Sequence, residues 1–176
     1  LRGGHQVADL AVLYPVESLW SKFVPSRHWT HDSPGTAEIE GLYRGTAESL
    51  FQSQRDFTIV DSRALAEARV KAGALVHGQL RWRAVILPGA DTLPLAAWKN
   101  LARFVRQGGV VIALGALPTN SESEFPSARV AALAREIFGE GGAGVAASQE
   151  PRSHANAAGG GGIFLPSGLD GLLPLV

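Results

Sequence analysis

The run His28-Trp29-Thr30-His31-Asp32 is the densest group of metal-ligand side chains in the sequence. Two imidazoles three positions apart, with a carboxylate beside the second, can share a zinc ion if another ligand arrives from elsewhere. No second cluster of such residues is evident, so the reading is an aromatic-anchored, solvated loop and not a metal site. Trp20 and Trp29 have flat apolar faces that can stack on a sugar ring or pack on a neighbouring domain. Docking is the preferred role, because large aromatics anchor interfaces. Glu17 and Asp61 stand near the ends of the first two expected strands. Glycoside hydrolysis uses two carboxylates about 5–10 Å apart, but nothing in the sequence builds a sugar cleft around this pair, and a surface or structural role is expected.

Other chemistries fail on their own requirements. A phosphate-binding turn needs glycines straight after the first strand, so that backbone N–H groups can approach the anion. Here the turn reads Tyr14-Pro15-Val16-Glu17-Ser18, without glycine and with a carboxylate. The Gly159–Gly162 run precedes a strand instead of following one, and reads as a flexible connector. No Gly-x-Ser-x-Gly string offers a serine elbow. The third strand ends on Leu87-Pro88-Gly89, where a phosphoacceptor domain would carry an aspartate.

The elements that must position these residues follow from apolar patterning. Val7–Leu13, Phe57–Val60, Ala84–Leu87 and Val110–Leu114 are short, nearly continuous apolar runs, as expected of strands buried on both faces at the centre of a sheet. Between the first two lie a polar loop, Glu17–Gly35, and a helix from Thr36 with Ile39, Leu42, Thr46 and Leu50 inward. Ser62–Gly73 is alanine-rich and partly helical, and Ala74–Leu80 suits a small edge strand. Pro94 opens the clearest helix. Its stripe of Leu95, Trp98, Leu101, Ala102 and Val105 makes Trp98 a core residue, and Gly108-Gly109 close it. Ser127–Phe138 is a further helix. Val145–Ala147 and Ile163–Leu165 are the last expected strands. Strand and helix alternate strictly, which predicts βαβ units: an α/β, flavodoxin-like, doubly wound parallel sheet of about five or six strands with helices on both faces.

Composition narrows the partners. The 176 residues fit a single domain spanning 1–176, with 16 basic and 16 acidic residues and a formal net charge of +0. Nucleic acid calls for a basic excess, and an anionic membrane for a polybasic run; neither is present. No apolar run approaches the ~20 residues of a membrane span. The absence of cysteine excludes disulfides, thiolate catalysis and Cys-based metal sites. No cofactor is expected. The lack of methionine, the start at Leu1 and the apolar end Leu172–Val176 suggest an internal piece of a longer chain.

The stretch Arg83–Gly115 (RAVILPGADTLPLAAWKNLARFVRQGGVVIALG) runs strand, Leu-Pro-Gly, helix, Gly-Gly, apolar strand. In this order it resembles the class I glutamine amidotransferase-like domains of large bacterial glycoside hydrolases, including the trimerisation domain of β-galactosidases. Val12-Leu13-Tyr14-Pro15 with Ser18 and Trp20, Asp56-Phe57 with Val60-Asp61, and Ala113-Leu114-Gly115 with Leu117-Pro118 are most similar to the α-L-rhamnosidase type. The likeness covers about residues 7 to 140 and, more loosely, the last strand. Active amidotransferases carry a cysteine where Ile112-Ala113-Leu114-Gly115 has Ala113, and His154 has no carboxylate two residues on. Glutamine hydrolysis is therefore excluded by chemistry. The resemblance implies a non-catalytic accessory domain that braces a catalytic domain or a neighbouring subunit of a periplasmic or secreted enzyme acting on carbohydrate. Its loops, with Glu17, Trp20, His28, Trp29, His31 and Asp32, would lie against other domains of the polypeptide or rim the sugar site. Two alternatives stay open: a stand-alone small-molecule or carbohydrate-binding domain, and a loop lent directly to catalysis in a neighbouring cleft.

Overall fold

The computed structural model describes residues 4, 6–28, 32–140, 150–169 and 171–176. A six-stranded sheet forms its centre, in the order β2-β1-β6-β7-β9-β8. The strands are β1 (Leu10–Leu13), β2 (Phe57–Val60), β6 (Ala84–Pro88), β7 (Val110–Leu114), β8 (Arg152–Ala155) and β9 (Gly161–Leu165). All neighbours pair in parallel except β8, which runs antiparallel to β9 at one edge. Counting only the parallel strands in chain order gives 2-1-3-4-5, the flavodoxin-like arrangement.

Both faces are covered because β1, β6 and β7 at the centre are apolar at every position. Ala11, Leu13, Val85, Leu87, Val111 and Ala113 enter one core cluster, and Val12, Ile86, Ile112 and Leu114 the other. Alternate side chains thus feed opposite layers, as the pleat requires. The first layer holds α3 (Ser62–Glu67), α4 (Leu95–Arg106) and α5 (Ala128–Phe138), through residues such as Leu65, Trp98, Phe104 and Ile137. The second is built on α2 (Pro34–Gln52), whose Leu50 is buried there with Leu172 from the C-terminal segment.

Local chemistry fixes the helix ends. The Asp61 side chain accepts from Ala64 N at the start of α3, and Ser127 from Val130 N at the start of α5. Gly139 ends α5 with φ +82. Pro94 stands just before α4, and Trp98, fully buried as the stripe predicts, donates Nε1–H to Asn120 O at 3.0 Å.

Several expectations need correction. The first strand begins at Leu10, not Val7, whose side chain is exposed. The Glu17–Gly35 segment is not all loop, since α1 (Val16–Lys22) occupies its first part and α2 begins at Pro34. Phe57–Val60 is an edge strand, not a central one, and Ile59 is 55% exposed. Residues 69–82 form a separate antiparallel sheet of β3 (Arg69–Lys71), β4 (Ala74–His77) and β5 (Leu80–Trp82). It packs Leu75 and Trp82 into the first core layer. The glycine run is no flexible connector: Gly161 and Gly162 lie in β9, and a Cβ on Gly160 would stand 2.1 Å from Val105 O. Val145–Ala147 lies outside the described residues.

Candidate functional site

In a doubly wound sheet the ligand crevice opens beyond the carboxyl ends of the strands where their order reverses. Here that point lies between β1 and β6. The chain leaves β1 through Tyr14-Pro15 into α1, and leaves β6 through Gly89-Ala90-Asp91-Thr92.

The two exits are stitched together. Ser18 Oγ donates to Thr92 O at 3.1 Å and accepts from Thr92 N at 3.0 Å, with both residues buried. Lys22 Nζ reaches Asp91 Oδ2 at 2.9 Å. The loop after β7 joins the lattice, for Thr119 N and Asn120 N both donate to Asp91 O at 2.9 Å, and Asn120 Nδ2 donates to Thr92 Oγ1 at 3.1 Å. From the α2 side, a Cβ on Gly89 would meet Ile39 at 3.0 Å, and one on Gly115 would meet Leu42 at 2.6 Å. Both glycines have positive φ, so a side chain there would be strained as well as crowded. These contacts tie the exits of β1, β6 and β7 together at the place where this fold class holds ligands.

Ala113 lies within β7, fully buried, its backbone paired between Leu87 and Phe164. Glu17 and Asp61 do lie beyond neighbouring strand ends, but each is engaged separately. Glu17 Oε1 accepts from Ser62 Oγ, whereas Asp61 Oδ1 accepts from Ala64 N at 2.7 Å. Glu17 Oε2 is buried with no hydrogen-bond partner among the described residues. His28 and Asp32 are exposed and joined through the backbone, Asp32 N donating to His28 O at 2.9 Å. Trp29 and His31 lie outside the described residues. Among the described residues, no group of three or more His, Asp or Glu side chains is arranged to hold a metal ion.

An apolar surface gathers on α1 beside these strand exits. The helix turns Ser18 and Leu19 inward, which leaves Trp20 76% exposed. Tyr14, Phe23 and Val24 are exposed in the same region. A groove of about 380 Å³ runs here, lined by Tyr14, Leu19, Phe23, Thr36 and Glu40. Tyr14 meets Tyr43 of α2 edge-on, with ring centroids 5.0 Å apart. Burial, with Tyr14 adding to it, pushes the Tyr43 hydroxyl above its ordinary range. Glu40 is held by Arg44 at 3.1 Å. Sequence reasoning singled out Trp20 but missed Tyr14, Val24 and the groove, because an isolated tyrosine and valine carry no signal until α1 and α2 stand side by side. No helix among the described residues is long and apolar enough to cross a membrane. Comparison of the sequence with protein-family models and with curated proteins finds no match.

Proposed function

We propose that this chain is a non-catalytic accessory domain of a multidomain glycoside hydrolase of the α-L-rhamnosidase-like kind, docked on its neighbours through α1. The observation that carries this reading is the web of contacts at the strand exits: Ser18, Thr92, Asp91 and Asn120 bond to one another at the place where a catalytic flavodoxin-like domain would receive its ligand. Position 113, where the resemblance to amidotransferases would put a nucleophilic cysteine, is an alanine with nothing to attack with. A surface helix that exposes Trp20 and Phe23 beside an apolar groove has the make-up of an interface anchor. The glycosidase parentage rests on the order and spacing of the motifs between residues 7 and 140.

The groove also favours a second reading, a stand-alone domain that binds a carbohydrate, since aromatic walls with one carboxylate suit a sugar ring. Two measurements separate the readings. The accessory domain should release no ammonia from glutamine and no nitrophenol from nitrophenyl glycosides, and its reading frame should encode a catalytic glycoside hydrolase domain. A frame without such a domain, or turnover abolished by a strand-end substitution, overturns the first reading. Sugar binding that disappears in Phe23→Ala establishes the second.

A further inference from the structure

A second concavity lies on the opposite layer, between α3, α4 and α5, with a volume of about 570 Å³, within the range of small-molecule sites. Lys99, Arg103 and Arg106 line it from α4, at the i, i+4 and i+7 spacing that puts them on one helix face. Ala66, Ala96 and Leu133 supply an apolar wall.

The three cations are not equivalent. Glu136 holds Arg106 in a two-pronged pair, with Nη2 donating to Oε2 at 3.0 Å, so this charge is neutralised. Lys99 and Arg103 form no ion pair with a carboxylate among the described residues. Arg103 is nonetheless held in place. Asn100, 3% exposed, donates to Leu65 O at 2.6 Å and to Ala68 O at 2.8 Å. Its amide hydrogens are thus committed to the end of α3, and its Oδ1 accepts from Arg103 Nε and Nη2. A buried amide therefore anchors one side of the guanidinium and leaves its other N–H groups uncommitted to that anchor.

We propose that this cleft binds a phosphate monoester, with Lys99 and Arg103 holding the phosphate and the Ala66, Ala96 and Leu133 wall receiving the organic part. A phosphate dianion carries the two negative charges that balance both cations, where a single carboxylate carries one. An anchored guanidinium suits its oxygens by geometry, and the ammonium adds a point charge. The free ion fills only a small part of the cleft, and the apolar wall calls for a carbon body.

The test is calorimetric titration of the intact chain at fixed ionic strength with phenyl phosphate, inorganic phosphate and phenol. Phenyl phosphate should bind saturably, inorganic phosphate more weakly, and phenol not measurably. Lys99→Gln and Arg103→Gln, both at exposed positions, should each weaken binding at least tenfold. Arg103→Lys should also weaken it, because charge without the planar fork does not reproduce the contact. Arg63→Gln, which breaks an ion pair outside the cleft, should change nothing. Absence of saturable binding, or binding by Lys99→Gln and Arg103→Gln as tight as that of the unsubstituted protein, overturns the proposal. Equal affinity for phenyl phosphate and inorganic phosphate overturns the role given to the apolar wall.

Discussion

Ser18 and Thr92 hold each other across the crevice between β1 and β6 by a reciprocal pair of hydrogen bonds, 3.0 and 3.1 Å long and 74 positions apart in sequence. One hydroxyl thereby satisfies the buried N–H and the buried C=O of a loop that has no strand or helix to serve it. The same contact holds α1, a short helix whose N-cap Pro15 provides no side-chain hydrogen bond. The tie between the β1 and β6 exits and the display of the α1 surface thus share one hydroxyl group.

Ser18→Ala should therefore cost about 1–3 kcal/mol, the usual penalty for stranding buried polar groups. Urea unfolding followed by circular dichroism measures it. Tryptophan fluorescence should also change, since Trp20 rides on the helix that is released. A stability equal to that of the parent protein would mean that water or a shifted backbone satisfies Thr92 just as well.

The layered core sets a contrast between strands. Ile86 and Ile112 are at most 1% exposed at the centre of the sheet, and Ile86→Ala or Ile112→Ala should cost ~2–5 kcal/mol. Ile59, at the β2 edge, should lose less than about 1 kcal/mol on the same change. Chemical denaturation of the three variants checks the order. Equal losses at Ile59 and Ile86 would place β2 inside the sheet.

Glu124 governs an acid-sensitive contact at the start of α5. Hydrogen bonds from Arg129 and then Ser127 hold its carboxyl below the ordinary value of 4.5. A carboxylate with a depressed folded pKa stabilises the protein above its unfolded pKa. That contribution is lost as the pH falls through the folded pKa. Glu124→Gln should accordingly reduce stability near neutral pH and flatten its acid dependence below about 4.5. Carboxyl NMR titration gives the direct measurement. A midpoint at or above 4.5 for Glu124 would show that the Arg129 and Ser127 contacts do not form in solution.

The sheet was legible because strands buried on both faces must be apolar throughout, and Val110–Leu114 can be little else. The α4 stripe was legible for the same reason at helical period. α1 was hidden, since its hold on the fold is the distant Ser18–Thr92 contact and not a local cap. β8 was hidden too: Arg152–Ala155 is polar, and takes extended form by pairing with β9. Glu17 and Asp61 were correctly placed near strand ends, but spacing could not reveal that Ser62 and Ala64 N would claim them separately. Lys99 and Arg103 carry no signal in the sequence beyond two charges on one helix. What singles out Arg103 is Asn100, whose own anchors lie on a different helix.

The glycines at 160, 161 and 162 have a consequence for ancestry. A methyl group at these positions would stand 2.1 Å from Val105 O, 2.3 Å from His154 O and 2.4 Å from Ile137 O. All three obstacles are backbone atoms, which no rotamer change can move aside. While the surfaces of α1 and α4 are free to drift as partners change, these positions tolerate no substitution without shifting a strand or a helix. Descendants of this chain that have lost every recognisable surface residue should still carry the triplet, one strand before their C-terminal segment. It is a fingerprint by which distant relatives can be sought.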